Sequence, residues 1–557
     1  MANLLSRSHF RRYRQISAVL LHHGMGYLVS SFGLTRFISL PAKIPLPGRA
    51  NHHYSKPEHV RMAFEELGAT FIKLGQILST RADLLPPEYV AELAKLQDRA
   101  PAVDGTLIKE TIVRELGCPI DKIFASLDPV PIAAASIGQA HAATLHNGKK
   151  VIVKVRRPGI VKQVEEDLEI MQRLAAIASK RWELADSYDL PGLVQEFAQT
   201  LRAELDYIHE GQNAERFAVN MAQNPLIHIP RVYWEATSEG VLTLERIQGI
   251  KINDLAALDA ARINRPQLAE RAAHLVLHMI LEDGFYHADP HPGNFFIEPG
   301  GSIGLIDYGM VGIVDDHTRE QLVELFLAIA SQDATRFADT LLKLAFTKKR
   351  VNRVQMGRDL HHLLAHYYGK PFDEIDIGLL LSEALAIVRK HRLELPSNLV
   401  LLIKTLIMEQ ALGTMLDPTF NLAKILEPYS KQLVLRFYSP GYWWRNAGRA
   451  GMDVARLGIE LPQQLRRLMI DLERGNIEIG VNPDSLTPII NDIKQLVHRV
   501  VLGIITAAFI IGLATILPAY EPVTGIMGIG VFFVIGLVLA FVLGASLASG
   551  MLRSRKK

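Results

Sequence analysis

Two short motifs in the second half of the chain carry the residue types that phosphoryl transfer requires. They are HADPHPGN at residues 287–294 and IGLIDYG at residues 303–309. Transfer from ATP needs a carboxylate near the nucleophile, and an amide and a second carboxylate to hold magnesium. Asn294 lies five positions after Asp289, as in kinase catalytic loops. The motifs predict that Asp289 is the catalytic base and that Asn294 and Asp307 are Mg²⁺ ligands. This prediction is favoured over the alternative, a loop rich in turn-forming residues that contains carboxylates by chance.

An apolar run upstream, residues 151–155, contains Lys154. An exposed lysine rarely lies within such a run, so Lys154 is predicted to pair with the phosphates of ATP. An alanine-rich segment precedes Lys154, at the position where a protein kinase has its glycine-rich loop. Alanine does not readily adopt the positive φ angles of glycine, which predicts a nucleotide pocket of altered geometry. The predicted ATP-binding residues of this segment are Ala133, Ala134, Ala135, Ser136, Ile137, Gly138 and Gln139.

The elements that must position these residues follow from the hydrophobic pattern. Residues 1–125 are predicted to form a helical extension, with helical spacing from Val60 to Ile77. Strand-like runs follow at residues 140–145, 151–155, 231–236 and 240–247, around a helical stretch at 160–220. Strands before helices predict an α+β, two-lobed protein-kinase-like domain over 126–495, with its small lobe ending near residue 250.

The C-terminal region predicts a membrane anchor. No charged residue occurs from Val500 to Tyr520 or from Val523 to Leu552, and each run is long enough to span a bilayer. A transmembrane hairpin is therefore expected over 500–552, with helices at 500–520 and 523–547. Basic residues flank both ends, which predicts cytoplasmic termini. A stripe of small residues in the second span is compatible with a homodimer. The alternative is a buried hairpin of a soluble protein.

Composition limits the other classes of function. The 61 basic and 58 acidic side chains leave a net charge of +3, so no nucleic-acid partner is expected. The single cysteine, Cys118, excludes an internal disulfide framework and a zinc site made of several cysteines. A lone cysteine is also typical of a reducing, cytoplasmic environment.

The chain resembles the UbiB/ADCK family of atypical kinases from about residue 60 to residue 315. The resemblance is carried, in order, by KLGQ at residues 73–76, the alanine-rich segment, Glu204-Leu-Asp206-Tyr and the two motifs described above. In that family the helix with the lysine-x-glycine-glutamine signature lies over the active site, where a peptide would bind. The resemblance implies that Lys73 and Gln76 face the nucleotide pocket and that Glu204 and Asp206 hold this helix.

The resemblance also bears on the carboxylate that pairs with Lys154. By sequence distance the nearest candidates are Glu165, Glu166 and Glu169, whereas the family pattern fits Glu204 or Glu210 better. We favour Glu210, on a helix that would take the place of the kinase helix αC.

By resemblance to the bacterial UbiB branch, the function implied is ATP- and Mg²⁺-dependent support of ubiquinone (coenzyme Q) biosynthesis. The location implied is the bacterial inner membrane, with the kinase body in the cytoplasm. The partners implied are the lipid bilayer and either the enzymes of that pathway or its polyprenylated intermediates. Two alternatives stay open: an authentic protein or small-molecule phosphotransferase, and a nucleotide-binding pseudokinase scaffold. The presence of Lys154, Asp289, Asn294 and Asp307 weighs against the scaffold.

Overall fold

The computed structural model describes residues 7–32, 34, 54–96, 101–180, 188–331, 333–346, 351–368, 370 and 374–437. The chain divides into two compact units, Met1–Trp443 and Trp444–Lys557, and all described residues belong to the first. The predicted transmembrane hairpin at 500–552 lies outside the described residues. So does the last part of the predicted kinase-like domain.

Six α-helices precede the first strand among the residues that the structure describes. They are α1 (Arg7–His22), α2 (Gly26–Ser31), α3 (Lys56–Leu67), α4 (Ala69–Thr80), α5 (Pro87–Leu93) and α6 (Gly105–Leu116). The helical spacing from Val60 to Ile77 is split between two helices, because Gly68 has a φ of 92° and ends α3. Such a backbone conformation favours glycine, which has no Cβ. α3 itself begins with a capping box in which Ser55 and Glu58 bind each other's backbone N–H.

The small lobe is built on a four-stranded antiparallel sheet in the order β1-β2-β3-β5. Its strands are β1 (Phe124–Ala134), β2 (Gly138–Leu145), β3 (Lys150–Arg156) and β5 (Val241–Glu245). Between β3 and β5 come α7 (Ile160–Ala178), α8 (Leu190–Leu205), α9 (Tyr207–Asn220) and the short β4 (Ile227–His228). The strand expected at 231–236 is instead a single bridge at Val232 followed by a 3₁₀ turn, Trp234–Ala236.

The larger lobe is mostly helical. Its short strands are β6 (Ile250–Lys251), β7 (Phe285–His287), β8 (Phe295–Ile297), β9 (Ile303–Leu305) and β10 (Val311–Ile313). Its helices are α10 (Leu255–Ala260), α11 (Arg265–His278), α12 (Asp316–Ala330), α13 (Ala334–Leu344), α14 (Arg353–Ala365), α15 (Ile377–Lys390), α16 (Ser397–Leu416) and α17 (Leu422–Phe437). β7 pairs with β10, and β8 lies between β9 and β6, so both predicted motifs fall at strand ends.

Within the described ranges, α16 is the one helix whose length and composition would allow it to cross a membrane, with a mean hydropathy of 1.6. It packs against α11 and α15, and 44% of its apolar window is buried. Leu399, Leu402 and Leu412 on this helix belong to the main hydrophobic core. In this structure α16 is therefore a core helix of the large lobe.

A buried segment that follows α4 joins the N-terminal helices to the large lobe. Arg81, which follows α4, contacts Asp83 at 2.8 Å, and both side chains are almost fully buried. Arg81 Nη1 also donates to Ser397 Oγ at 3.3 Å, and Arg389 Nη1 donates to the carbonyl of Ala82 at 2.7 Å. These contacts hold the C-terminal end of α4 against the large lobe.

Candidate active site

Lys154 is placed by the alternation of β3. Val151, Val153 and Val155 are fully buried on one face of the strand, so Lys154 projects from the opposite face. There its ammonium forms an ion pair with Glu210, in the first turn of α9. Burial by itself lowers the pKa of Lys154, but the nearby carboxylates outweigh burial and raise that pKa above its ordinary value. The lysine is therefore a permanent cation.

The other glutamates considered for Lys154 lie elsewhere. Glu165, on α7, pairs with Arg202 at 2.6 Å on the surface. Glu169 is an exposed neighbour of Arg173, at 3.9 Å. The structure thus assigns to α9 the carboxylate that pairs with Lys154.

α9 also holds the backbone of the second motif. Glu210 Oε1 accepts a hydrogen bond from the Tyr308 N–H at 3.2 Å, and Asn213 Nδ2 donates to the Tyr308 carbonyl at 3.0 Å. The Tyr308 side chain is fully buried and donates to the carbonyl of Leu305 at 2.8 Å. One helix therefore fixes both the lysine and the peptide that follows Asp307.

Asp307 lies in a left-handed backbone conformation with a φ of 67°. Its Oδ1 accepts a hydrogen bond from the Gly309 N–H at 3.1 Å and lies 3.9 Å from Lys154 Nζ. The cation of Lys154 lowers the pKa of Asp307 to about 2. The carboxylate is thus ionised at neutral pH, and its side chain is 55% exposed, so it remains accessible to a cation.

The first motif lies opposite, at the end of β7. Asn294 Nδ2 donates to the carbonyl of Asp289 at 3.1 Å, which closes the loop between them. The Asp289 carboxylate accepts a hydrogen bond from Lys404 Nζ at 3.1 Å. Lys404 comes from the middle of α16, 115 residues further along the chain. The carboxylate predicted to be the catalytic base is therefore neutralised by a lysine.

His287 links the two motifs. Its Nε2 donates to the carbonyl of Asp307 at 2.5 Å, and its Nδ1 accepts from the Asp289 N–H at 3.3 Å. The ring is 2% exposed and packs near Phe217 and Tyr308. Both ring nitrogens of His287 are thus used to hold backbone, as expected of a structural histidine.

The lysine-x-glycine-glutamine residues lie on α4, as their spacing requires. Lys73 forms an ion pair with Glu204 at 3.1 Å, and both side chains are mostly buried. Gln76 Nε2 donates to the carbonyl of Leu96, after α5, at 3.2 Å. At Gly75 a Cβ atom would lie 2.2 Å from Leu96 Cδ1, so the glycine permits this close packing.

Asp206 takes a different position from the one that the family resemblance implies. It was expected to hold α4 together with Glu204. Its carboxylate instead accepts a hydrogen bond from the Ile208 N–H at 3.0 Å and caps α9. Aspartate is favoured at this position because it satisfies an N–H group that the helix leaves unpaired. Asp206 thus contributes to the site through α9, the helix that carries Glu210.

The alanine-rich segment is the end of β1, a tight turn and the start of β2. Ala133 and Ala134 end β1, and the Ala135 N–H donates to the Gly138 carbonyl at 2.8 Å. A Cβ at Gly138 would lie 2.2 Å from Tyr207 Oη and 2.9 Å from the Val155 carbonyl. Glycine is therefore required there by close approach to these groups.

Ser136, Ile137 and Gln139 in this segment are buried. Ile137 joins the hydrophobic cluster of the N-terminal helices. Gln139 Oε1 accepts from the Val103 N–H at 2.9 Å, which ties Gln139 to the segment before α6. The alanine-rich segment is thus held in place by contacts with the N-terminal extension.

The donor atoms of the site fit magnesium and ATP. Asn294 and Asp307 offer oxygen atoms, the ligand type that magnesium prefers. Lys154 would supply a cation for phosphates, and Asp289 a carboxylate near a nucleophile. Protein kinases require a lysine–glutamate ion pair and a metal-binding aspartate together. Here the ion pair between Lys154 and Glu210 is formed, and Asp307 lies 3.9 Å from the same lysine.

Sequence reasoning missed Lys404. The signal was present, since Lys404 is a lone cation in the apolar run Leu401-Leu-Ile-Lys404-Thr-Leu-Ile. The same observation singled out Lys154. Without the fold, however, nothing in the sequence relates Lys404 to Asp289.

A mixed helix-and-sheet fold with this arrangement of lysine, carboxylates and asparagine defines a kinase-like protein. Three family models match the chain: the ABC1 atypical kinase-like domain at residues 95–341, the UbiB helical domain at 360–421, and the ABC1/UbiB kinase-like C-terminal domain at 484–553. The chain belongs to the ABC1/UbiB family of atypical kinase-like proteins. The UbiB helical domain corresponds to α14, α15 and α16, so Lys404 falls within it.

Individual relatives agree with this assignment. The chain is 30% identical over 523 residues to the Probable protein kinase UbiB of Xanthomonas euvesicatoria, covering 92% of this chain and 94% of that one. It is 36% identical over 426 residues to an uncharacterized protein of Synechocystis sp., covering 76% and 73%. It is 39% identical over 429 residues to the chloroplastic protein Activity of BC1 Complex Kinase 7 of Arabidopsis thaliana, covering 76% and 62%.

Proposed function

We propose that this chain is a membrane-anchored, ATP-binding atypical kinase or ATPase that supports or regulates ubiquinone biosynthesis. The observation that carries the proposal is the linked set of Lys154, Glu210 and Asp307, which faces Asp289 and Asn294. Phosphoryl transfer depends almost entirely on positioning and electrostatic stabilisation, and these residues supply both. When bound, magnesium would neutralise charge on the phosphates.

Each residue has a distinct role in this proposal. Lys154 pairs with the phosphates of ATP, and Glu210 orients it from α9. Asn294 and Asp307 hold the metal. Asp289 accepts the proton of the attacking water or hydroxyl group. Lys404 balances the charge of Asp289.

The position of α4 favours a small acceptor over a protein substrate. α4 is joined to α8 of the small lobe through Lys73 and Glu204, and its C-terminal end is joined to the large lobe through Arg81. In the family that the chain resembles, this helix occupies the space where an extended peptide would bind. Water or a lipid head group is the acceptor that this arrangement suits best.

The membrane and pathway parts of the proposal have separate support. The two charge-free runs at 500–520 and 523–547 are long enough to form a hairpin anchored from the cytoplasmic side. Relatives that cover more than nine-tenths of the chain carry the name UbiB. The acceptor or effector would then be a polyprenylated phenolic lipid, reached from the inner membrane.

The test is ATP consumption by the purified full chain in liposomes, with and without a quinone-like phenolic lipid. Asp307→Asn is the test variant, and Asp316→Asn, at a side chain that is 83% exposed, is the matched control. We expect turnover in the wild type and in Asp316→Asn, an increase with the lipid, and loss of turnover in Asp307→Asn. Undiminished turnover in Asp307→Asn would contradict the proposal.

Labelled ATP separates the two alternative functions in the same samples. Label on an added protein would favour an authentic protein phosphotransferase. Absence of turnover in the wild type, together with measurable binding of the magnesium nucleotide, would favour a pseudokinase scaffold.

A further inference from the structure

Three side chains with possible metal-ligand atoms meet outside the active site, where the end of α1 passes α3, and His59 lies beside them. His22 is the last residue of α1, and His23 follows it. His59 and Glu66 lie seven residues apart on α3, which places them on the same face of that helix. One possible ligand atom from each of His22, His23 and Glu66 lies within 4.8 Å of the others. Among the residues that the structure describes, this is the one such group of metal-ligating side chains.

The distances in this group are close to those of a metal site. His23 Nε2 and Glu66 Oε2 are 3.1 Å apart, and two ligand atoms on a tetrahedral zinc ion are about 3.3 Å apart. The ring centroids of His22 and His23 are 5.1 Å apart, and two imidazoles on one zinc ion would be about 5 Å apart. Small side-chain rotations would therefore bring these atoms onto one ion.

A second and independent observation is the state of His59. Both of its ring nitrogens are shielded from solvent, and neither has a hydrogen-bond partner among the described residues. The His59 ring centroid lies 5.8 Å from that of His23. A buried polar atom that makes no hydrogen bond is unfavourable, because it has lost its contact with water and gained no partner. Metal binding would give one nitrogen of His59 the partner that it lacks.

We propose that His22, His23, His59 and Glu66 form a binding site for a divalent transition-metal ion, with zinc as the best match. Imidazole and carboxylate are the ligands of many zinc sites, and a site of three histidines and one carboxylate completes a tetrahedron. The site is distinct from the magnesium ligands, because it offers nitrogen donors and lies on the N-terminal helices.

Metal binding at this site would stabilise the helices that pack around the start of α4. Arg12 on α1 pairs with Asp167 on α7 at 2.6 Å and donates to the carbonyl of Leu67, the last residue of α3, at 2.8 Å. Thr70, in the first turn of α4, donates to the same Asp167 at 2.7 Å. An ion that joins α1 to α3 would therefore reinforce the group of helices from which α4, with Lys73, begins.

The first test is zinc titration by calorimetry of the full chain, purified without a histidine tag and treated with a chelator. We expect one zinc ion per chain in the wild type. Glu66→Gln and His22→Ala change exposed ligands, so both variants should fold normally. Each should bind zinc about tenfold more weakly or worse. Unchanged affinity in both variants, or no stoichiometric zinc in the wild type, would overturn the proposal.

The matched control is a second pair of adjacent histidines. His361 and His362 on α14 have ring centroids 6.4 Å apart and belong to no such group of ligands. Replacing both by alanine should leave zinc affinity unchanged. A loss of affinity in this control that matched that of Glu66→Gln would show non-specific binding to surface histidines and would contradict the proposed site.

A spectroscopic test addresses His59 separately. Cobalt(II) bound at a four-ligand site gives the visible absorption of tetrahedral coordination. We expect this spectrum in the wild type and a changed spectrum in His59→Ala, with circular dichroism showing that the variant is folded. An identical cobalt spectrum in folded His59→Ala would remove His59 from the ligand set and leave the proposed four-ligand site wrong.

Discussion

The two sides of the candidate active site are held in different ways. On the small-lobe side, Lys154 contacts two carboxylates, Glu210 and Asp307, and α9 also binds both ends of the Tyr308 peptide. On the large-lobe side, the carboxylate of Asp289 has one ion pair within the described part of the chain, with Lys404 of a distant helix. One side is a closed network, and the other depends on one pair of charges.

This difference indicates how the site would respond to a nucleotide. The network around Lys154 is preorganised, so it can bind phosphates with little rearrangement. Lys404 is more adaptable, because a lysine on a flexible stem can exchange a carboxylate partner for a phosphate. We infer that the small-lobe side determines whether ATP binds in a competent geometry. The large-lobe side then adjusts as the phosphate is transferred.

The largest effect is expected for Glu210→Ala. This change removes both the ion-pair partner of Lys154 and the acceptor for the Tyr308 N–H. Two contacts of the network are therefore lost at once. We expect kcat/KM for ATP to fall by about 100-fold or more, which corresponds to about 2.7 kcal/mol. Steady-state ATPase kinetics measure it, with Glu165→Ala at the surface pair with Arg202 as the control. A decrease of less than threefold would show that the network is dispensable.

A smaller and different effect is expected for Lys404→Met. The methionine keeps the length of the side chain but leaves Asp289 without its cation. We expect kcat to fall by about 10- to 100-fold, in the range of a positioned proton-transfer group. The nucleotide Kd should change little, because Lys154 is untouched. Lys390→Met, at an exposed pair with Asp359, is the control. Loss of nucleotide binding instead of turnover would contradict the division of roles between the two sides.

For Lys73→Met we expect a larger effect on the stability of α4 than on the arrangement of the residues predicted to carry out catalysis. The substitution leaves Glu204, which is mostly buried, without its cation. Breaking a buried ion pair in this way costs about 3–5 kcal/mol, and partial exposure places this pair at the low end. Hydrogen exchange of α4 amides should accelerate while Lys154 and Asp307 keep their contacts. Unchanged exchange in α4 would show that the pair does not hold this helix.

The smallest expected effect is on the pH dependence of stability. Glu409, on α16 with Lys404, is fully buried, and neither of its oxygens has a described partner. Burial raises the pKa of Glu409 to about 8. The unfolded chain releases this proton near pH 4.5, so the contribution of Glu409 to stability is complete below that pH and declines up to about pH 8.

Glu409→Gln should abolish this part of the pH dependence. The melting temperature of the wild type should therefore fall by a few degrees more than that of the variant between pH 5 and pH 8.5. Thermal unfolding at both pH values measures the difference. Parallel shifts in the two proteins would mean that Glu409 is already ionised in the folded chain.

The sequence predicted the local parts of the site better than the long-range ones. The spacing of Asp289 and Asn294 and the position of Asp307 are local, and in the structure His287 connects the two motifs through the Asp307 carbonyl and the Asp289 N–H. The family resemblance also led to Glu210, although Glu165 is closer to Lys154 along the chain. Lys404 was missed because its contact with Asp289 depends on how α16 packs against the core.

Local signals also failed where backbone details decide the fold. The helical pattern from Val60 to Ile77 continues through Gly68, but the positive φ angle of this residue ends one helix and starts another. Residues 231–236 have the composition of a strand, yet most of the segment makes no ladder. The fold of the membrane anchor expected at 500–552 lies outside the described residues and stays a prediction.

The contacts of Arg81 have a consequence for how the chain is made. Arg81 and Asp83 are buried against Ser397, which follows 316 residues later in the chain. At a synthesis rate of about 5–20 residues per second, the ribosome needs roughly 15 to 60 s to reach that point. During this interval the end of α4 lacks its large-lobe partner. The N-terminal helices can pack among themselves early, but the end of α4 can be held against the large lobe only after most of the kinase body has been synthesised.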